Sequence, residues 1–257
     1  MTRRDLLKLV LTAPALRCAS GEEKAQVGRL TARPGKPTHA GAVGEVVPIG
    51  LGGARDGVVY AAPDADHVSR PLLVLLHGAN GSGARIVSRM QSQVATPGVV
   101  IVAPDSRGIT WDVVRDSVGP DVRFLDDVLR AVFDRYPIDR ARVCVAGHSD
   151  GASYALTLGL TNGDLFPQVM AFSAGFLAVK APSNVRPRIF LAHGRDDEIL
   201  SFEASGRHIA GMLERSGYDV TFRPFDGGHA LKPEVVREAI SWWSLPPSPR
   251  AAILPSS

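Results

Sequence analysis

A serine between two glycines is the first feature of the sequence that could do chemistry. Segment 147–151 has the spacing G-x-S-x-G, with Ser149 at its centre. A serine hydroxyl is a weak nucleophile unless a base removes its proton, and that base needs an acid to orient it. Chance produces so short a motif, but here an apolar run, 142–146, predicts a strand before it and residues 149–161 predict a helix after it. Ser149 is therefore the candidate nucleophile, on a strand-turn-helix elbow that exposes its hydroxyl.

A loop rich in carboxylates follows a later predicted strand, 188–192. The loop contains Asp196, Asp197 and Glu198. A carboxylate at the carboxyl end of a later strand can reach the imidazole of the base. Spacing from the His-Gly pair at 193–194 favours Asp197 as the acid, and the other two are then expected to be solvated charges of the loop.

Seven histidines compete for the role of general base. His229 lies beside a glycine pair, directly after the predicted strand 220–225 and before the last predicted helix, so it completes the chain order Ser, Asp, His. His229 is therefore the candidate base. Of the others, His39 lies in a linker, His67 in a polar loop and His208 in a predicted helix. His77 and His193 lie in loops that a histidine could brace through hydrogen bonds, and His148 fills the variable elbow position.

Acyl transfer also needs donors for the negative oxygen that forms on the carbonyl carbon, and backbone N–H groups serve best. Segment 77–81 leaves the predicted strand 72–76 and contains three small or glycine residues. We expect the backbone N–H of Ala79 to be the first donor and that of Asp150, the residue after the nucleophile, to be the second. The side chain of Asn80 could touch substrate or simply shape the turn, and the sequence leaves both open.

Short apolar or β-branched runs alternate with helical patterns from about residue 43 onward. This alternation predicts an α/β domain with a mostly parallel sheet covered by helices on both faces. The first two strands are expected to form a hairpin. The predicted strands are 46–49, 58–61, 72–76, 99–103, 142–146, 169–172, 188–192 and 220–225. The predicted helices are 84–94, 121–136, 149–161, 202–216 and 233–243.

Composition excludes several classes of protein. A chain of 257 residues, 45% of them hydrophobic and 21% charged, fits one domain with a sizeable core. The net charge of +3 comes without a block of five Lys or Arg, so we expect no nucleic-acid partner. Two cysteines, Cys18 and Cys144, exclude a disulfide framework and a cysteine zinc site. No metal cluster, P-loop or dinucleotide motif occurs, so no metal and no cofactor are expected.

The first twenty residues differ from the rest. Arg3 and Arg4 precede a short apolar stretch, 9–16, as in a twin-arginine export signal. The stretch is too short to span a bilayer. Residues 1–20 therefore predict export to the periplasm or the exterior, although the lack of an A-x-A cleavage site leaves a cytoplasmic location as the alternative. The remaining chain is predicted to consist of a linker (21–42), one domain (43–245) and a tail (246–257).

Three segments resemble the esterase branch of the α/β-hydrolases, which includes phospholipase/carboxylesterase proteins, polyhydroxyalkanoate depolymerases and feruloyl esterases. Residues 75–78 look like that family's oxyanion strand, 136–143 like its helix-to-strand approach, and 147–152 like its elbow. The likeness covers about residues 43–243. Ala152 departs from the depolymerase and feruloyl esterase relatives, which often have a further glycine there.

The resemblance implies the α/β-hydrolase fold and hydrolysis of carboxylic esters through an acyl-enzyme. The substrate would be a small-molecule or polymer-attached ester. A thioesterase or peptidase with the same triad is one alternative, and a catalytically silent hydrolase-fold binding protein is another. The presence of nucleophile, base and acid together favours an enzyme. The oligomeric state and the acyl and alcohol specificity do not follow from the sequence.

The connection between two predicted strands bears on the shape of the cleft. Only about fifteen residues separate the strand ending near Phe172 from the one beginning near Arg188, too few for a helical cap domain. We therefore expect an open cleft. Trp111, in the loop after the predicted strand 99–103, could form a wall of the substrate pocket or be an ordinary core tryptophan.

Overall fold

A computed structural model of the chain describes residues 28–64, 69–115 and 119–245. The predicted export signal, 1–20, and the predicted tail, 246–257, lie outside these residues, as do His67 and Cys18. In the part of the chain that the structure describes, no helix combines the length and the apolar character needed to cross a lipid bilayer.

Eight strands in these ranges form one sheet. They are β1 Val46–Pro48, β2 Gly57–Ala61, β3 Arg70–Leu76, β4 Val100–Pro104, β5 Ile138–His148, β6 Gln168–Phe172, β7 Arg188–Gly194 and β8 Val220–Phe225. The order across the sheet is β1-β2-β4-β3-β5-β6-β7-β8. β1 pairs antiparallel with β2, and β2 antiparallel with β4, whereas all the pairs from β4 to β8 are parallel. The predicted hairpin and mostly parallel sheet are confirmed.

Five α-helices of the described chain pack on the sheet. They are α1 Gly83–Val94, α2 Pro120–Arg135, α3 Asp150–Thr161, α4 His208–Arg215 and α5 Pro233–Ser244. A 3₁₀ turn at Asp112–Arg115 precedes α2, and a π-helical turn at Glu203–Arg207 leads into α4. α2, α3 and α4 share one hydrophobic core, and α1 and α5 share the other. Helices thus cover both faces of the sheet, as the sequence predicts.

Strand β3 shows why both faces need cover. Leu72, Val74 and Leu76 belong to the core under α2 and α3, whereas Leu73 and Leu75 belong to the core under α1 and α5. Successive side chains of a strand point to opposite faces, so a continuous apolar run forces burial on both sides. Between β6 and β7, residues 173–187 form a loop without helix or strand, and no cap domain is inserted there.

Residues 28–42, predicted as part of a linker, have neither helix nor strand, yet they pack on the domain. Leu30 and Ala32 are buried in the core with α2 and α3. Their backbone amides find side-chain acceptors in place of a strand partner, because the Leu30 N–H donates to Asn162 (2.8 Å) and the Ala32 N–H to Asp126 (2.8 Å). The packed body of the protein therefore includes this segment, ahead of residue 43.

Candidate active site

The predicted elbow is a sharp turn between β5 and α3. Ser149 has φ 58° and ψ −123°, a conformation that residues other than glycine rarely adopt. A Cβ atom on Gly147 would lie 2.2 Å from the carbonyl oxygen of Gly151, and one on Gly151 would lie 2.3 Å from that of Leu76. Only glycine fits at either position. The turn therefore holds Ser149 tightly against the end of β3.

Asp197 and His229 lie in hydrogen-bond contact, 32 positions apart in the chain. His229 Nδ1 is 2.8 Å from Asp197 Oδ2, and the side chain of Asp197 is fully buried. Asp197 Oδ1 accepts hydrogen bonds from the backbone amides of Ile199 (3.0 Å) and Leu200 (2.8 Å). Because both oxygens of the carboxylate accept, the Nδ1 of His229 carries the hydrogen, and its Nε2 keeps a lone pair that can take a proton.

The pKa of Asp197 is lowered below its ordinary value. Burial acts against the charged form of this carboxyl, but the hydrogen bonds from the Leu200 amide, from His229 and from the Ile199 amide outweigh burial. The carboxylate is thus charged wherever His229 has to act as a base.

Ser149 and His229 line one cavity of about 400 Å³ at the carboxyl ends of the parallel strands. His229 also packs beside the elbow, since its ring centroid is 4.8 Å from that of His148. The structure thus brings the three predicted triad residues to one place, with Ser149 after β5, Asp197 after β7 and His229 after β8. Asp196 and Glu198 are exposed, as expected for loop charges.

The loop after β3 runs directly past the nucleophile. A Cβ atom on Gly78 would lie 3.2 Å from the Cβ of Ser149, so glycine allows this close approach. The amide of Asn80 donates to the carbonyl of Ile109 (2.7 Å), and Asn80 has φ 55°, a left-handed conformation that asparagine tolerates. Asn80 therefore shapes the turn and also lines the cavity.

Two backbone amides near the nucleophile are free to donate. Within the three described ranges, neither the N–H of Ala79 nor that of Asp150 has a protein acceptor, whereas the N–H of Gly81 donates to Gly78 (3.0 Å). Ala79 lines the cavity, and Asp150 is the first residue of α3, where amides have no partner in the helix. These are the two amides that the sequence predicts as oxyanion donors.

Two further histidines hold these loops, as predicted. The Ser106 amide donates to Nε2 of His77 (3.0 Å), so Nδ1 of His77 carries the hydrogen and donates to the carbonyl of Gly78 (2.7 Å). Burial lowers the pKa of His77, which keeps the ring neutral. His193 Nε2 lies 2.8 Å from the carbonyl of Leu200 in the acid loop. Their bracing role is confirmed by these hydrogen bonds.

Trp111 does not line the cavity, and the prediction that it forms a pocket wall is wrong. The side chain is completely buried, stacks on Tyr154 (5.1 Å between centroids) and donates its indole N–H to the carbonyl of His77 (2.7 Å). The loop after β4 folds inward because the large apolar ring gains more from burial than from solvent contact. Trp111 thus supports, through this hydrogen bond, the loop that contains Ala79.

Replacing Trp111 by phenylalanine is expected to weaken both the fold and the site. The change leaves the buried carbonyl of His77 without its indole donor, which costs about 1 to 3 kcal/mol of unfolding free energy. It also frees the loop after β3, so kcat should fall. Denaturant unfolding and ester hydrolysis measure the two effects.

Trp243→Phe is the matched control, because Trp243 is also buried and its indole N–H has no hydrogen-bond partner in the described chain. The control should lose only the stability due to lost volume and should keep its kcat. Equal effects of the two substitutions on stability and kcat would contradict a supporting role for the Trp111 hydrogen bond.

Sequence reasoning missed several residues of the cavity wall. Arg85, Ile86 and Arg89 come from the first seven residues of α1, and Ile199 and Leu231 each lie two residues after the acid or the base. The sequence predicts the helix that contains Arg85, Ile86 and Arg89. Its hydrophobic periodicity cannot distinguish a helix face that lines a cavity from one that faces solvent. Among the described residues, no group of three or more His, Cys, Asp or Glu side chains is arranged to hold a metal ion.

Comparisons with known proteins agree with this architecture. A family model described as Phospholipase/Carboxylesterase matches residues 115–245, just over half of the chain. S-formylglutathione hydrolase of Paracoccus denitrificans (strain Pd 1222) is 26% identical over 214 residues, which cover 71% of this chain and 74% of that protein.

Solved structures show the same fold. The esterase PE8 has a TM-score of 0.57 and 21% identity, covering 68% of this chain and 91% of its own. The Bacillus cereus carboxylesterase has a TM-score of 0.59 and 19% identity, covering 74% and 93%.

Proposed function

The chain belongs to the phospholipase/carboxylesterase family and is a carboxylic ester hydrolase, and we propose that it works through an acyl-enzyme formed on Ser149. In this proposal His229 is the general base and Asp197 orients it. The observation that carries the proposal is the 2.8 Å contact between His229 Nδ1 and Asp197 Oδ2, together with Ser149 in the cavity that His229 lines.

The proposed reaction begins with attack of Ser149 Oγ on the ester carbonyl while His229 Nε2 takes the hydroxyl proton. The oxygen that becomes negative is bound by the backbone N–H groups of Ala79 and Asp150. Asp197 stabilises the imidazolium through Nδ1. The alcohol leaves with the proton from Nε2, and water then attacks the acyl-enzyme by the same route, which restores the serine and releases the acid.

The position of the elbow supports this chemistry. The positive φ of Ser149 turns its side chain away from the sheet. The two flanking glycines let the end of β3 and the start of α3 approach closely, so the loop with Ala79 and the first residue of α3 lie beside the serine. Preorganised amides need no rearrangement when charge develops, which is why such sites lower the barrier. Burial of Asp197 keeps its hydrogen bond with His229 free of competition from water.

Covalent labelling tests the proposal. The protein is expected to hydrolyse short-chain aryl esters and to react with a fluorophosphonate probe, with the adduct found by mass spectrometry on the peptide that contains Ser149. Heat-denatured protein should remain unlabelled, because the unfolded serine lacks its base. A folded protein that hydrolyses no activated ester and takes up no probe would contradict the proposal and would favour a silent binding scaffold.

Thioester hydrolysis is a second candidate, favoured by one comparison. One relative is named S-formylglutathione hydrolase, and S-formylglutathione is a thioester. An acyl-enzyme mechanism serves esters and thioesters alike, because both meet the same nucleophile and oxyanion donors. Matched ester, thioester and amide substrates with one acyl group would separate the candidates by the ratio of their kcat/KM values.

A further inference from the structure

Two arginines stand in the wall of the cavity that contains Ser149. Arg85 and Arg89 both belong to α1 and both line the cavity. They are four residues apart, so they lie on one face of the helix, one turn above the other. Both are exposed, and one Arg85 guanidinium nitrogen donates to the carbonyl of Asn80 (3.2 Å) in the loop after β3. Their charges therefore stand beside the predicted oxyanion loop.

Neither charge has a carboxylate partner in the part of the chain that the structure describes. No carboxylate of the described residues lies within salt-bridge distance of Arg85 or Arg89, and no Asp or Glu is among the residues that line the cavity. The nearby carboxylates have other partners. Asp105 accepts the first amide of α1 (2.6 Å), Asp150 accepts a threonine hydroxyl (2.5 Å), and Asp197 is buried against His229.

His148 and His77, which also line the cavity, add no positive charge to it. Burial, then the charges of His229 and Arg89, lower the pKa of His148 to about 4, so its ring is neutral at neutral pH. The pKa of His77 is also lowered, chiefly by burial. The permanent positive charges of the wall are the two guanidinium groups, and Arg89 contributes to lowering the pKa of His148 at the elbow.

Three large apolar side chains form another part of the wall. Ile86, Ile199 and Leu231 line the same cavity, and Ile199 is 72% exposed, which leaves a large apolar side chain at the rim without cover from the protein. Guanidinium groups bind carboxylates through paired, charge-assisted hydrogen bonds, and apolar walls favour a short hydrocarbon segment between charged and reacting groups.

We infer that the ester cleaved at Ser149 carries a carboxylate group, which Arg85 and Arg89 bind while a short apolar segment lies against the isoleucines. This inference rests on the proposed function, because it assigns a substrate class to the same site. The carboxylate replaces water around two unpaired cations, and the same field draws anionic esters toward the nucleophile.

Matched substrate pairs test the inference. One pair is para-acetoxybenzoate and its methyl ester, which differ in charge on the alcohol side. The other is the mono-para-nitrophenyl ester of adipic acid and para-nitrophenyl hexanoate, which differ on the acyl side. The measured quantity is the ratio of kcat/KM for the anionic ester to that for the neutral one, compared between variants so that intrinsic reactivity cancels.

The double variant R85Q/R89Q is expected to lower this ratio about tenfold in at least one pair. Each single variant is expected to lower it about two- to fivefold, because that is the typical contribution of one exposed ion pair. Added salt should lower the ratio in the wild type and have little effect on the ratio in the double variant, because screening weakens only the charged contact. R237Q is the matched control, since Arg237 is an exposed helical arginine on α5 and is not among the residues that line the cavity.

The control removes one positive charge without touching the cavity and should leave the ratio within about twofold. A double variant with the wild-type ratio in both pairs, or an equal loss in R237Q, would overturn the inference. If neutral esters are cleaved and Ser149 is labelled in that case, only the substrate class is wrong. If no ester is cleaved and no probe is bound, the proposed function itself fails, and the inference falls with it.

Discussion

Ser149→Ala is expected to reduce kcat for short-chain aryl esters by roughly 10⁴- to 10⁶-fold, with little change in KM. The substitution removes the atom that forms the acyl-enzyme and leaves the cavity and the free amides in place. The remaining activity would come from water attacking a carbonyl that the oxyanion donors polarise. Initial rates at saturating ester, with fluorophosphonate labelling in parallel, measure the loss.

The Ser149→Ala variant should fold as the wild type does. Alanine replaces serine at the same φ of 58° without adding a larger side chain, so the strain of the elbow is unchanged. Ser92→Ala is the matched control, since Ser92 is an exposed residue of α1 and is not among those that line the cavity. The control should keep full activity. If Ser149→Ala retained a tenth of the wild-type kcat, another residue would have to be the nucleophile.

The arrangement of strands follows directly from the sequence because of burial on both faces. Residues 71–76 of β3 and all of β4 are continuous apolar runs, as expected for strands of a parallel sheet covered on both faces. The glycine context of Ser149 and His229 then marks the two tight turns of the site. These signals depend on local chain geometry, so they can be detected without knowing which elements meet.

Two features escaped sequence reasoning because they depend on tertiary contacts. Residues 28–42 are rich in Gly, Pro and charge, which is typical of a linker, but Leu30 is buried with α2 and α3. Trp111 lies on a loop at the correct end of the sheet for a pocket wall, and loop position alone cannot tell whether a ring points to solvent or to the core. Both depend on what packs against the segment.

The extent of β5 shows the same limit. The apolar run 142–146 predicts a short strand, but β5 begins at Ile138 and includes exposed polar residues. Its pairing with β3 shifts register between Arg70 and Leu72, so the early part of the strand continues the ladder past an irregularity. Residues 139–142 lie within this irregularity, and the charged side chains among them give no strand pattern.

Asp197→Asn is expected to lower kcat by roughly 10⁴-fold while KM stays close to the wild-type value. The amide must place its oxygen toward the backbone amides of Ile199 and Leu200, which only donate. Its NH₂ group then faces Nδ1 of His229 and donates to it. The imidazole is forced to carry its hydrogen on Nε2, so it can no longer accept the proton of Ser149. Steady-state kinetics on the aryl ester panel measure the effect.

Asp196→Asn is the closest control that the chain offers, because it makes the same chemical change one residue earlier. Asp196 is exposed, and it is the backbone amide of Asp196 that donates to the carbonyl of Gly227 (3.0 Å), a contact that the substitution keeps. Its kcat should remain within about twofold of the wild type, as for surface substitutions away from a site. A large loss in Asp196→Asn with none in Asp197→Asn would instead assign the acid to Asp196, and the orientation of His229 would then have to change before catalysis.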